Sequence, residues 1–132
     1  MGRMTKPVIE YPGGEPPAEL AIEDIVVGEG AEAKPGDTVE VHYVGVEFHT
    51  GEQFDASWDR GESIEFPLRG LIQGWQEGIP GMKVGGTRRL VIPAELAYGS
   101  KGAGNGVIPP DATLMFEVEL LAVETVTLQE QQ

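Results

Sequence analysis

Thr38-Val39-Glu40-Val41-His42-Tyr43-Val44-Gly45-Val46-Glu47-Phe48 is the stretch on which the fold turns. Val39, Val41 and Tyr43 alternate with Thr38, Glu40 and His42, so one side of the chain is apolar and the other polar. That period of two predicts a half-buried strand over residues 38–48. It begins just after Lys34-Pro35-Gly36-Asp37, a turn signal, and ends at a second turn, His49-Thr50-Gly51-Glu52.

Moving outward from it, Gln53 to Ser57 reads as a short extended piece. Ser63 to Pro67 reads as a strand with Ile64 and Phe66 on one face. Over Leu71 to Ile79 the pattern changes. Ile72, Trp75 and Ile79 fall at i, i+3 and i+7, with Leu71 beside them, which predicts a helix with one apolar stripe. Pro80 and Gly81 close it. After a Gly85-Gly86 turn, Thr87 to Ile92 is a strand, and Ala94 to Tyr98 is a helical turn. Gly99 to Asp111 is a long loop, of a length often kept for function. In the last strand, Thr113 to Val123, residues Leu114, Phe116, Val118 and Leu120 share a face, with Glu117 and Glu119 on the other. On the N-terminal side, Glu19 to Val27 is a possible strand. Residues 1–19 hold Pro7, Pro12, Pro16 and Pro17 with Gly13 and Gly14. They are expected to form an extended arm, because proline lacks the N–H that a helix or central strand requires. The expected fold is α+β: an antiparallel half-barrel sheet of five to six strands wrapped on one short amphipathic helix. The expected organisation is an arm at 1–19, one domain at 20–124 and a tail at 125–132.

Composition excludes several kinds of function. The 19 Gly and 10 Pro argue against a helical bundle. A net charge of −13, from 9 Lys and Arg against 22 Asp and Glu, repels phosphate backbones, so no nucleic-acid partner is expected. With no cysteine, neither a disulfide, a thiolate metal site nor a Cys nucleophile is possible, which suits a reducing compartment. No apolar run approaches the roughly 20 residues that cross a bilayer, and the first ten residues lack the apolar core of a signal peptide. No membrane partner is expected, and the cytoplasm is the expected location.

Candidate nucleophiles and ligands are few. Ser57, Ser63 and Ser100 lie outside any G-x-S-x-G elbow. His42 and His49 have no companions with metal-ligand spacing, so no metal is expected. The glycine-rich run from Gly99 to Gly106 leads into Ile108-Pro109-Pro110 and not into a helix N-terminus, which a phosphate loop requires. Asp55 and Asp59 form a carboxylate pair of the kind chance supplies among 22 acidic residues. What remains is a set of apolar and aromatic side chains at loop edges and element ends: Tyr43, Phe54, Trp75, Tyr98, Ile108 and Phe116. Buried tyrosines require partners for their hydroxyls.

Seven motifs in order carry a resemblance. They are Val41-His42-Tyr43-Val44-Gly45, Phe54-Asp55-Ala56-Ser57, Ile72 to Gly78, Gly81 to Gly86, Ala97-Tyr98-Gly99, Ile108-Pro109-Pro110 and Leu114 to Leu121. Over about residues 20–123 the chain resembles the FKBP family, immunophilins that bind rapamycin and related macrolides and act as prolyl isomerases. It is similar to the single-domain members, because the loop after Tyr98 is too short to hold an inserted chaperone domain.

The resemblance implies isomerisation of X-Pro bonds with no cofactor, in a monomer whose partners are proline-containing peptides, unfolded proteins and macrolides. It makes Trp75 the floor of an apolar pocket, with Tyr43, Phe54 and Phe116 as walls and Leu71 and Ile72 on one rim. The N–H of Ile72 and the hydroxyl of Tyr98 would hold ligand carbonyls. Asp55 would accept a hydrogen bond near the twisted amide and pair with Arg60. Ile64 would occupy a wall position where many members carry a ring, and Val107 and Ile108 would pack on the substrate from the long loop. The loop from Gly99 to Val107 is slightly longer than the common form and has Ala103 or Gly104 where a histidine often sits. Trp58 is unusual beside the Phe54-Asp55 motif. A module that binds macrolides or proline segments with little turnover would use nearly the same residues.

Overall fold

A computed structural model of the chain describes residues 15–124. The first 14 residues of the expected arm, and the tail at 125–132, lie outside the described residues.

The sheet has six strands: β1 (Ala21–Val26), β2 (Thr38–Glu47), β3 (Gln53–Ala56), β4 (Ile64–Pro67), β5 (Thr87–Ile92) and β6 (Leu114–Glu124). All pairings are antiparallel, in the order β1-β5-β6-β2-β3, with β4 also on β2. The alternating stretch found first in the sequence is the spine. One edge of β2 pairs with β6 along its whole length, from Thr38↔Glu124 to Glu47↔Leu114. The other edge is shared. β4 covers Thr38 to Val41, β3 covers Val44 to Val46, and the chain leaves the sheet between them. That excursion contains a four-residue helix, α1 (Ser57–Arg60), where the sequence predicts only an extended piece and a connection. Gly61, at φ 74, ends it in the left-handed region that glycine tolerates.

The predicted amphipathic helix is α2 (Gln73–Gly78), shorter than expected at both ends. Its Trp75, with Ile79 just beyond it, is buried in one core with Val39 and Val41 of β2, Leu90 and Ile92 of β5, and Leu114, Phe116, Val118 and Leu120 of β6. The helix sits very close to the sheet. A Cβ on Gly74 would lie 2.5 Å from Ile92 Cγ2, so a glycine is required there. Arg88 fixes the far end. Its guanidinium donates to the carbonyls of Gly78 and Pro80 at 2.9 and 3.2 Å, which are orphan acceptors at the helix C-terminus, and to Asp24 of β1 at 2.7 Å.

The opposite face of β6, read from sequence as its polar side, is not open either. Glu117 and Glu119 are buried, with Glu117 accepting from Arg89 at 2.8 Å.

The long loop is more ordered in shape than its glycines implied. It holds two 3-10 turns, Gly99–Lys101 and Gly104–Gly106. Ala103 and Ile108 exchange backbone hydrogen bonds at 2.9 and 3.0 Å across it.

Candidate active site

β2 brings Tyr43 to the sheet's inner face, β6 brings Phe116 beside it, and β3 supplies Phe54 and Asp55 at the sheet edge. The segment entering α2 supplies Leu71 and Ile72, and α2 itself supplies Trp75. With Phe66 of β4 and Tyr98 these nine residues enclose a cavity of about 240 Å³. Trp75 is its floor, 4 % exposed. Three rings meet the indole nearly at right angles: Phe116 at 5.3 Å (89°), Tyr43 at 5.4 Å (85°) and Phe66 at 5.8 Å (85°). Phe54 stands edge-on to Phe116 at 5.5 Å. Edge-to-face contacts of this kind hold aromatic walls upright and leave the space between them apolar. The volume is below the roughly 300–1,000 Å³ of sites that engulf a drug-sized ligand, so it suits one ring of a longer molecule.

Gly45 keeps the cavity open. A Cβ there would lie 2.7 Å from both Phe54 Cζ and Phe116 Cε2, nearer than carbon atoms approach without displacement. It pairs with Phe116 on one side and Asp55 on the other, so it lies between the two elements that carry the walls.

Polar groups sit at the mouth. The Tyr43 hydroxyl donates to Asp55 Oδ2 at 2.5 Å. Arg60 donates to Asp55 Oδ1 at 2.5 Å and to the Tyr43 hydroxyl at 3.0 Å, and its guanidinium carbon lies 5.9 Å from the Tyr43 ring centre. Burial alone would raise the Asp55 carboxyl, but the hydrogen bonds from Tyr43 and Arg60, with the charge of Arg60, outweigh it and hold the carboxyl below the usual range. Burial, then the bond to Asp55, pushes the Tyr43 phenol up. Burial, then the negative charge of Asp55, raises Tyr98. The mouth is therefore ionised at Asp55 and neutral at both tyrosines around neutral pH. The Tyr98 hydroxyl and the Ile72 N–H have no partner among the described residues, and both residues line the cavity.

Not every residue singled out in the sequence reaches the cavity. Arg60 stands behind Asp55 and not in the lining. Ile64 is packed against the core, and the longer ring of Phe66, two residues on along the same strand face, takes the wall position. The bridge between Ala103 and Ile108 explains the other two departures. It turns Ile108 inward, 7 % exposed, and leaves Val107 outward, 60 % exposed, in a neighbouring hollow that also touches Phe54. Phe66 and Gly45 were missed as site residues. The alternation of Ile64 and Phe66 marked both as inward-facing, and only side-chain reach separates them.

His42 and Ser57 lie 2.8 Å apart, the pairing that nucleophilic catalysis uses. Ser57 is 0 % exposed, however, and its oxygen accepts from the Tyr43 N–H, so no substrate reaches it. His42 is not a free surface histidine either, because its ring stacks on Trp58 at 4.7 Å. Among the described residues no group of three or more His, Cys, Asp or Glu is placed to hold a metal ion.

Comparison with known proteins gives the family. The family model described as FKBP-type peptidyl-prolyl cis-trans isomerase matches residues 29–121. A probable FK506-binding protein of Corynebacterium glutamicum is 61% identical over 119 residues, covering 90% of this chain and 99% of its own. The crystal structure of FkpA from Escherichia coli superposes with a TM-score of 0.76 at 45% identity over 82% of this chain, which spans only 49% of that one. The crystal structure of AtFKBP13 superposes with a TM-score of 0.73 at 40% identity, covering 83% of this chain and 96% of that one. The chain belongs to the FKBP-type peptidyl-prolyl cis-trans isomerase family.

Proposed function

We propose that this isomerase turns X-Pro bonds in the aromatic cavity, with the proline ring on Trp75 between Tyr43, Phe66 and Phe116. The observation that carries this reading is the set of three rings standing edge-on around one buried indole, in a space sized for a single ring.

Amide resonance makes rotation slow, with a barrier of about 18–20 kcal/mol. At the twisted transition state that resonance is lost and the amide is less dipolar. A planar amide taken from water into an apolar cavity loses hydrogen bonds worth roughly 2–7 kcal/mol, and the twisted form loses less. Each 1.36 kcal/mol of that difference is about tenfold in rate, so no nucleophile is required. The Tyr98 hydroxyl and Ile72 N–H, both without partners among the described residues, are the donors for the carbonyls that flank the ring. Asp55, kept ionised, has lone pairs left to accept from the substrate backbone, and Arg60 holds it in place. Leu71 is a rim contact, and Val107 reaches the chain beyond Phe54.

The same cavity takes macrolides such as rapamycin, a reading supported by the names of the relatives. All nine lining residues come from one chain, so a monomer suffices. A chain without cysteine fits the cytoplasm, where proline-containing unfolded chains are the substrates.

The test is exchange NMR on a short Leu-Pro peptide with and without rapamycin. Catalysed exchange abolished by rapamycin is the expected result. Exchange that continues in the presence of bound rapamycin would move the reaction out of this cavity. Tight rapamycin binding with no exchange would leave a binding module with little turnover.

A further inference from the structure

The shared edge of β2 has a gap. β4 pairs as far as Val41 and β3 begins at Val44, so His42 and Tyr43 face no strand on that side. An unpaired buried backbone group costs free energy comparable to a lost hydrogen bond. The gap at Tyr43 is closed by one side chain. The Tyr43 N–H donates to Ser57 Oγ at 2.7 Å, and Ser57 Oγ lies 3.3 Å from the Tyr43 carbonyl oxygen. One hydroxyl thus takes both roles of the missing strand residue. Its third contact is His42 Nδ1 at 2.8 Å, and Trp58 stacks on that imidazole from the same short helix. Ser57, fully buried, has no route to substrate.

We propose that Ser57 is a positioning residue for the isomerisation, acting through Tyr43. The proposal rests on the reading that Asp55, to which the Tyr43 hydroxyl donates, serves the reaction. Ser57 holds the Tyr43 backbone. The Tyr43 ring then carries its hydroxyl across the cavity wall to Asp55. Asp55, Ser57 and Arg60 lie within one run of six residues, so a single short segment holds the tyrosine at its backbone and at its tip. A tilt at the backbone is amplified at the far end of a rigid ring. Misplacement of a reacting group by about 1 Å can cost on the order of 100-fold, and a partial tilt costs less.

The test is a double-mutant cycle on kcat/KM for a Leu-Pro peptide, using wild type, Ser57→Ala, Tyr43→Phe and the pair. Ser57→Ala should lower kcat/KM about tenfold and shift the NMR signal of the Tyr43 hydroxyl proton, because the tyrosine loses its aim. In the Tyr43→Phe background the same change should cost under about twofold, since there is no hydroxyl left to aim. A merely structural serine gives equal losses in both backgrounds, and that result overturns the proposal. So does a Ser57→Ala enzyme within twofold of wild type. If Tyr43→Phe alone leaves the rate unchanged while wild type turns over, Asp55 does not depend on that hydroxyl, and the proposal is overturned while the cavity reading stands. Ser57→Cys guards against an alanine variant that does not fold. It keeps the size and weakens the acceptor, so an intermediate rate is expected, and full activity overturns the proposal. Ser63→Ala, which removes a 2.6 Å bond to Glu40 in the same excursion, should leave kcat/KM unchanged.

Discussion

Two hollows in this molecule differ in size and in substance. One lies where β1 ends, between Val26 to Gly30 and Leu120-Leu121, and has a volume of about 530 Å³. The other is the aromatic cavity, less than half as large at about 240 Å³. The larger hollow is walled by aliphatic side chains and glycine backbone with Glu29 among them, and no ring stands in it. No ring there fixes the orientation of a ligand, and Val27 in its wall is 71 % exposed. The smaller one has a rigid floor, upright walls, and at its mouth a carboxylate whose partners are already in place. Capacity to do chemistry follows from preorganisation and exclusion of water, not from volume.

The comparison breaks most sharply at Trp75. Trp75→Ala removes the floor and opens a void in the core, which should cost about 3–5 kcal/mol of stability by chemical denaturation and abolish measurable exchange catalysis. A variant that keeps wild-type turnover would show that the floor is only core.

Gly45→Ala tests the walls with a single methyl group. Phe54 or Phe116 must move, and kcat/KM should fall on the order of tenfold, with rapamycin affinity falling alongside. An unchanged rate would mean that the rings yield without closing the cavity.

Asp55 tests the mouth. Its folded-state carboxyl sits below its unfolded value of about 4, so its contribution to stability is present above about pH 4 and is lost as pH falls through the folded value. Asp55→Asn should flatten that acid limb in a pH series of thermal midpoints. The effect should stay within about 1 kcal/mol, because both partners are well exposed to solvent. A variant with the same acid slope as wild type would separate Asp55 from the acid transition.

The smallest effect belongs to the larger hollow. Val27→Ser should leave exchange catalysis unchanged and shift stability within about 0.5 kcal/mol. A several-fold loss of turnover there would reverse the comparison.

Much of the fold was legible because it rests on periodicity. The alternation from Thr38 to Phe48, and its counterpart from Leu114 to Leu120, identified the two strands that form the centre of the sheet. The stripe Ile72, Trp75, Ile79 located the helix even though its ends were drawn too wide. The helix α1 was missed because four residues hold barely one turn and carry no stripe. Among the site residues, rings at element ends drew attention to Tyr43, Phe54, Trp75, Tyr98 and Phe116, all of which line one cavity. Ile108 stood with those rings as an aliphatic group at a loop edge, and Ile64 and Val107 rested on their place in a motif, but neither signal says how far a side chain reaches or which way a loop residue turns.

By itself, the sequence determined the main strands and the helix α2, and the apolar faces they turn to the core, because those follow from local period and turn chemistry. It also excluded cysteine chemistry outright. Only the tertiary structure decided that Phe66 and not Ile64 forms the wall, that Gly45 must lack a side chain, and that Ser57 stands in for a missing strand. Those outcomes depend on distances between residues far apart in the chain, such as Gly45 and Phe116, and such distances exist only once strands have paired and the helix has been pressed against them.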